Sequence, residues 1–296
     1  AQIDDELDGT PPNFVREKDT HGHGTHVAGT VCGNGNSLTT KRFTGFAPET
    51  DIIIIKTTFS NADITDAYNY LNQKKTTLGK PVVVNASLGS NYGPHDGTDV
   101  MSTAINSFSG TGKISVVSAG NSGSDNIHYS NSIAAGNYID VTVTVPAYTA
   151  SSGTSNDYFI LDTWFDDNSS VNITVTSPNG FTTTQNANGS TTNQTNDGTV
   201  FIDNHIDVNN NDREIDIQIY DADASKPPKN GDWKFRFTNT SGSNVFFHTW
   251  LAVYSLGSAT PVLTNGNSNY TLGNDAESSL IVGSYVSKWR WESSSG

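Results

Sequence analysis

Three histidines, His21, His23 and His26, stand within six residues near the start of the chain. The segment 21–30 reads H-G-H-G-T-H-V-A-G-T, so small residues surround the imidazoles and leave room for a second molecule to approach. The residues that follow His23 predict the start of a helix. An imidazole titrates near neutral pH, which suits a general base that takes up a proton and returns it within one reaction. The segment therefore indicates acid–base chemistry.

A metal site is the competing interpretation of the same histidines. The spacing H-x-H-x-x-H is similar to the H-x-H-x-D-H cluster of zinc hydrolases of the metallo-β-lactamase group, in which such histidines share one metal. Here Thr25 replaces the acid, and the sequence offers no downstream set of ligands. We therefore expect no metal at these histidines.

Two further segments carry groups that can bind a peptide or an oxyanion. Residues 84–90 read V-N-A-S-L-G-S, and residues 116–123 read V-V-S-A-G-N-S-G. Together with the histidine segment they resemble the motifs V-x-N-x-S-L-G, A-A-G-N and H-G-T-H-V-A-G of the subtilisin-like serine proteases (subtilases, peptidase family S8). The three motifs stand in the order that this family uses.

The resemblance implies a role for each motif. His23 would be the general base, and Asn121 would donate a hydrogen bond to the tetrahedral oxyanion. The extended backbone of residues 84–90 would pair with the substrate, and the substrate site would include Ser87, Leu88, Gly89, Ser90, Ala119 and Gly120. The reaction would be hydrolysis of a polypeptide through an acyl-enzyme, with no cofactor required for the chemistry.

A working triad also needs an orienting aspartate and a nucleophilic serine, and neither is evident. The family's aspartate ends a strand farther upstream in a D-[ST]-G context. The acids before His23 follow no apolar strand: Asp4, Asp5, Asp8 and Asp19. The motif G-T-S-M-A-x-P is absent, and Ser155, in the partial echo at residues 153–155, is followed by no helix pattern. We expect a fragment of a longer protease gene that is inactive alone.

Composition limits the partners. Thirty acidic against sixteen basic residues give a net charge of −14, which repels nucleic acid and leaves room for structural calcium. The single Cys32 cannot form an internal disulfide and is predicted to be a small buried residue. No apolar run approaches the roughly 20 residues of a membrane span. The many Asn, Ser, Thr and Gly residues favour a secreted or cell-surface bacterial protein, and the sequence leaves its oligomeric state open.

The first part of the chain alternates strand and helix patterns. Residues 51–57, 82–85 and 114–118 are predicted as buried strands, because each is a short apolar run rich in β-branched residues. Helices are predicted with Asn61, and with Thr98 or Asp99, as N-caps. This alternation predicts right-handed crossovers and a parallel sheet.

From residue 140 the pattern changes to period two, and no helix pattern appears. The predicted strands are residues 141–145, 170–175, 214–220, 233–237 and 250–254. Trp233 and Trp250 alternate inward and are predicted to pack in the core. Residues 177–180 and 231–237 look similar to the jelly-roll and P-domain modules attached to subtilases. Residues 207–212 resemble a calcium loop but lack its Gly and Glu, so a plain turn is expected.

These patterns predict an α/β fold: a partial, parallel-sheet, subtilisin-like core with an inserted all-β sandwich. The core would comprise residues 1–139 and 273–296, with a returning strand at residues 279–285, and the sandwich residues 140–272. Two sequential domains with a short tail are the alternative arrangement. The predicted function is that of a serine endopeptidase. The alternative is a non-catalytic binding protein that keeps the protease scaffold and uses the sandwich for recognition.

Overall fold

The computed structural model describes residues 18–37, 39–41, 43–267 and 275–284. The chain divides into two units, residues 1–78 and 79–296. The first unit carries helices α1 (His23–Cys32) and α2 (Asn61–Leu78), and the second carries α3 (Val100–Phe108) and all the described strands. Within the described residues, none of these helices combines the length and the hydropathy that a bilayer crossing requires.

Helix α2 confirms the helix predicted near Asn61 and corrects its N-cap. Ile64, Tyr68 and Leu71 are buried, as their three- and four-residue spacing predicts. Asn61 is the first helical residue rather than the cap. Ser60 precedes it, and its hydroxyl accepts a hydrogen bond from the Asp63 amide at 3.2 Å.

The strand predicted at residues 51–57 is wrong. No strand is described between residues 18 and 78, and the side chains of Ile52, Ile53 and Ile54 are 52%, 39% and 68% exposed. A parallel strand needs neighbouring strands that satisfy its backbone groups, and the described part of this unit offers none. The run of β-branched residues alone therefore predicted a strand that this segment does not form.

The second unit contains fourteen described strands, in three sheets. In chain order they are β1 (Val82–Ala86), β2 (Lys113–Ser118), β3 (His128–Ile133), β4 (Tyr138–Val145), β5 (Tyr158–Phe165), β6 (Val171–Thr176), β7 (Thr182–Gln185), β8 (Gly189–Thr195), β9 (Gly198–Ile206), β10 (Arg213–Tyr220), β11 (Gly231–Asn239), β12 (Val245–Ser255), β13 (Val262–Leu263) and β14 (Leu280–Val282).

Strands β1, β2 and β14 form a parallel sheet in which β2 lies in the middle. Val83 pairs with Ile114 across β1 and β2, and Leu280 pairs with Val116 across β14 and β2. Helix α3 lies between β1 and β2 in the chain, and the Asp99 carboxylate caps it by accepting from the amides of Met101 and Ser102. The predicted parallel pairing and return strand are therefore confirmed for these strands, whereas Tyr285 of the predicted strand lies outside the described residues.

The remaining strands form two antiparallel sheets. One sheet has the order β3-β12-β5-β10-β9-β8, and the other has the order β13-β4-β11-β6-β7. All five strands predicted from period-two patterns are present, and their ends differ from the predicted ones by up to five residues, most of all at the start of β12. Strand β3 lies before the predicted boundary at residue 140, and its polar sequence, HYSNSI, carries no apolar alternation that could have indicated it.

One hydrophobic cluster joins the two antiparallel sheets. Phe159 of β5 meets Trp233 of β11 edge to face at 5.9 Å between ring centroids, and Phe165 of β5 meets Phe237 of β11 at 6.0 Å. All four residues are fully buried, so the two sheets bury their facing sides against each other. Trp250 is also fully buried, which confirms the core prediction for both tryptophans.

The chain enters and leaves these two sheets at neighbouring points. The His128 amide donates to the Asn267 carbonyl at 3.2 Å, and the Asn267 amide donates to the His128 carbonyl at 2.6 Å. This isolated bridge joins the first residue of β3 to a residue beyond β13. We call the pair His128 and Asn267 the neck.

Candidate active site

The histidine motif forms the first turn of α1. Gly22 precedes the helix with a φ of +89°, a conformation that a glycine adopts without strain. The Asp19 carboxylate accepts hydrogen bonds from the amides of His21, Gly22 and Thr25 at 3.0, 2.7 and 2.8 Å. These hydrogen bonds hold the pKa of Asp19 well below its usual range, and the bond from the Gly22 amide contributes most. Asp19 therefore fixes the loop that leads into the helix.

The imidazoles of this motif are open to solvent. His21, His23 and His26 are all exposed, and the rings of His21 and His23 stand 6.4 Å apart at a steep angle. An exposed His23 is accessible to a second molecule, as a base must be. A position one turn after His23 on the same helix predicts that His26 packs inward, but His26 is exposed, so that prediction is wrong. Cys32 is half-buried, and its Sγ donates to the Ala28 carbonyl at 3.1 Å.

Asp19 also offers little for orienting an imidazole. Its Oδ1 accepts the amides of His21 and Gly22, and its Oδ2 accepts the amide and the hydroxyl of Thr25. Both oxygens are thus engaged in the turn before α1. The other candidate acids, Asp4, Asp5 and Asp8, lie outside the described residues.

The candidate oxyanion donor lies directly after β2. The Ala119 amide donates to the Val282 carbonyl at 3.0 Å and so extends the ladder between β2 and β14. Gly120 then turns the chain with a φ of +94°, where a side chain would be strained. The exposed Asn121 follows at this turn. Its amide group is therefore accessible at the carboxyl end of the middle strand.

The candidate substrate segment lies after the neighbouring strand β1. The Ser118 hydroxyl donates to the Leu88 carbonyl at 3.1 Å, and the Asn91 side chain donates to the Ser122 hydroxyl at 3.1 Å. Two hydrogen bonds thus join the loop after β1 to the loop after β2. In open parallel sheets, ligands bind outside the carboxyl ends of the strands, which is where these loops meet. The structure therefore brings Ser87, Leu88, Gly89 and Ser90 together with Ala119, Gly120 and Asn121.

The loop that continues from the substrate segment is fixed on the six-stranded sheet. The Gly93 amide donates to the Asp162 carboxylate of β5 at 2.8 Å. The His95 ring stacks on the Trp250 ring of β12, with 4.2 Å between centroids. Sequence analysis missed both contacts, because residues far apart in the chain make them and neither belongs to a motif.

Ser155 has the wrong setting for a nucleophile at the start of a helix. It has a φ of +59°, and its amide donates to the Asp221 carbonyl at 2.9 Å. Strand β5 begins three residues later, at Tyr158. These facts agree with its rejection from the sequence.

Known proteins resemble this chain along most of its length. The profile described as "Subtilase family" matches residues 2–288. An alkaline proteinase of Hapsidospora chrysogena is 32% identical over 169 residues, which are 52% of this chain and 39% of that protein. A subtilisin of Bacillus sp. (strain TA39) is 33% identical over 110 residues, which are 36% of this chain and 25% of that protein. The chain thus spans less than half the length of these relatives.

One solved structure shares the fold. The structure of the Clostridium perfringens CspB protease has a TM-score of 0.73 to this chain at 22% sequence identity, and the match covers 96% of this chain and 60% of that one. The likeness therefore extends over the parallel sheet and the two antiparallel sheets. Because the family profile matches nearly the whole sequence, the chain belongs to the subtilase family.

Proposed function

We propose that this chain is part of a secreted subtilisin-like serine endopeptidase that hydrolyses peptide bonds through an acyl-enzyme. His23 is the general base that takes the proton of the nucleophile and returns it to the leaving amine. Asn121 stabilises the tetrahedral oxyanion by donating a side-chain hydrogen bond. Residues 87–90, with Ala119 and Gly120, bind the substrate backbone.

The junction of the two strand-end loops supports this proposal most directly. The bonds from Ser118 to Leu88 and from Asn91 to Ser122 hold the substrate segment beside the loop that carries Asn121. An oxyanion donor contributes only if it is fixed before the reaction begins, so a braced loop suits the role. Metal ions and cofactors have no part in this chemistry.

We also propose that the two antiparallel sheets form a sandwich inserted into the protease core, as predicted for residues 140–272 between residues 1–139 and 273–296, with the start of the sandwich moved forward to β3 at His128. In support, β14 returns to the parallel sheet after the antiparallel strands. The sandwich then has a mechanical task as well. Through Gly93 on Asp162 and His95 on Trp250, it holds the loop that follows the substrate segment and so shapes access to the substrate site.

In this proposal the nucleophile and the orienting acid lie outside the 296 residues. The motif G-T-S-M-A-x-P does not occur in the 296 residues, so we expect the serine in a further part of the gene product. DNA sequence that encodes D-[ST]-G upstream and G-T-S-M-A downstream would supply both groups. The 296-residue chain itself is then expected to lack activity.

Active-site labelling tests the proposal. The full-length gene product is treated with a fluorophosphonate probe, which reacts with an activated serine. We expect labelling of the wild type, loss of labelling in His23→Ala, and retention in His21→Ala, which removes a neighbouring exposed imidazole outside the family motif. A folded full-length product that ignores the probe would refute the protease assignment and favour the non-catalytic binding protein.

Steady-state kinetics test the role of Asn121 separately. We expect Asn121→Ala to lower kcat by about 10²–10³, the range established for the oxyanion asparagine of subtilisin itself, with little change in KM. The matched control is Asn126→Ala, which removes another exposed asparagine side chain from the same loop. Equal kcat values for Asn121→Ala and the wild type would contradict the oxyanion role.

A further inference from the structure

A compact group of metal-ligand side chains lies on the β9–β10 hairpin. His205 of β9 stands opposite Glu214 of β10 in the strand register. The distance from His205 Nε2 to Glu214 Oε2 is 3.2 Å. Asp207 follows in the connecting turn, and one ligand atom from each of the three residues lies within 4.8 Å of the others. A small inward movement would bring all three onto one ion.

The imidazole of His205 has a second carboxylate behind it. Its Nδ1 lies 3.5 Å from the Asp203 Oδ2, and this nitrogen is buried without a hydrogen bond. Histidines that bind a metal through one nitrogen usually direct the other to a carboxylate, which fixes the ring and raises its basicity. Asp203, His205 and Glu214 are arranged in this order.

A buried oxygen without a partner gives an independent indication of a cation. Asp216 is 6% exposed and lies two residues from Glu214 on β10, on the same face of the sheet, opposite Asp203. Its Oδ2 accepts from the Gln218 side chain at 2.7 Å, whereas its Oδ1 has no partner. Buried polar atoms are nearly always satisfied, and a cation at the cluster would provide positive charge for this carboxylate.

The charges around the cluster are strongly unbalanced. Asp203, Asp207, Glu214 and Asp216 surround one imidazole. In the part of the chain that the structure describes, His205 is the basic side chain that forms ion pairs with this group, and no lysine or arginine does so. A cation that joins these carboxylates would relieve the repulsion among them.

The ligand types select the ion. One imidazole nitrogen with two carboxylate oxygens suits Zn²⁺, which takes such mixed sets with four ligands, a water completing them. Ca²⁺ prefers six to eight oxygens and no imidazole. The turn at residues 207–212 is also closed by its own bonds, since the Asn209 amide donates to Asp207 Oδ1 at 2.7 Å.

We propose that His205, Asp207 and Glu214 bind one Zn²⁺ ion, with Asp203 as the carboxylate that orients His205. The ion ties the turn at residue 207 to both strands of the hairpin. The side chain of His205 is 40% exposed, so an ion can enter from solvent and keep a water ligand. None of the three ligands has a role in the proposed peptidase chemistry, so this proposal does not depend on it.

Metal titration of the 296-residue chain tests this proposal. Metal-free protein is titrated with Zn²⁺ by calorimetry, and Co²⁺ is added separately to record the visible absorption bands of a tetrahedral site. We expect one equivalent to bind, His205→Gln to weaken binding by more than about 100-fold, and Asp203→Asn to weaken it by about 10–100-fold. His21→Gln and His128→Gln are the matched controls, because they remove histidines elsewhere and should leave the affinity unchanged.

Each other outcome decides against the proposal. Zn²⁺ affinity that survives His205→Gln, or that falls equally in His21→Gln or His128→Gln, would place the ion elsewhere. Binding of Ca²⁺ but not Zn²⁺, or of neither ion, would overturn the assignment as well. If circular dichroism shows that His205→Gln is unfolded, Glu214→Gln and the Co²⁺ spectrum of Asp203→Asn carry the same test.

Discussion

The neck contains a histidine whose titration should govern part of the protein's acid stability. His128 is 2% exposed, and its Nε2 lies 2.9 Å from His248 Nδ1 of β12. Its Nδ1 lies 3.3 Å from the side-chain oxygen of Asn267, and the His95 and Trp250 rings complete the cluster. Asp166 is the acidic residue whose charge interacts with His248. Two imidazoles at 2.9 Å can share one proton but resist carrying two charges.

Burial, followed by the charges of His248 and His95, lowers the pKa of His128 to about 4, despite the hydrogen bond to Asn267. In the unfolded chain the same group has a pKa of about 6.5. Between these values the unfolded chain binds more protons, so a falling pH favours unfolding. The contribution of His128 is complete above pH 6.5 and disappears as the pH falls toward 4. At pH 5 the loss relative to pH 8 is about 2 kcal/mol.

Urea unfolding at pH 8 and pH 5 measures this effect, with the wild type compared with His128→Gln. Buried carboxyl groups such as Asp162, whose pKa is raised by burial, change stability in the opposite direction, so the difference between the two proteins is the relevant quantity. We expect the wild type to lose about 2 kcal/mol more than the variant over this interval. Ser130→Ala, on the same strand and opposite His248, should behave as the wild type does.

Parallel pH dependence of the wild type and His128→Gln would refute the reasoning. The same holds if Ser130→Ala and His128→Gln changed the slope equally, because the effect would then come from packing at β3 and not from the proton. A histidine NMR titration offers an independent reading, since the His128 resonances should shift near pH 4 and not near pH 6.5.

Three further substitutions test the packing and the loop junction by urea unfolding. Phe165→Ala removes a fully buried ring that contacts Phe237 and Phe247, and it should destabilise the protein by about 3–5 kcal/mol. The control Phe246→Ala, at a residue that is 40% exposed, should change stability far less. Equal effects of the two substitutions would contradict the shared core. Ser118→Ala removes the donor to the Leu88 carbonyl and should lower stability by about 1 kcal/mol, and an unchanged midpoint would show that this bond does not brace the loop. Asp99→Ala removes the N-cap of α3 and should also lower stability by about 1 kcal/mol. Asp99→Ser keeps a capping side chain and should retain most of the wild-type stability. If Asp99→Ser is as unstable as Asp99→Ala, loss of the cap is not the cause.

The strands that could be predicted are those whose two faces differ in polarity. Residues 233–237 read W-K-F-R-F, and β11 places the aromatic rings inside and the charged side chains toward solvent. Strand β8 was not predicted because its sequence, GSTTNQT, is polar at nearly every position. Its pairing with β9 alone defines it as a strand, and no local pattern reports that partner.

The limits at the site have the same physical origin. His23, Asn121 and residues 87–90 could be named because each belongs to a contiguous motif. The hydrogen bonds that position residues 87–90, such as that from Ser118 to Leu88, connect residues at the ends of different strands, so no local sequence pattern indicates them. Glu214 and Asp216 appeared to be the polar face of an alternating strand. They are buried because other parts of the fold cover that face.

The neck also determines how easily the parallel sheet can close. Strand β14 must find β2 across more than half of the chain, and the entropy lost on closing a loop grows with its length. If residues 128–267 fold first as the ribosome releases them, the bridge from His128 to Asn267 shortens that loop to the short stretches on either side. The closure then becomes more favourable by roughly 2 kcal/mol. With this order of folding, the bridge allows the antiparallel sheets to form between β2 and β14 without adding their full length to the loop that these two strands must close.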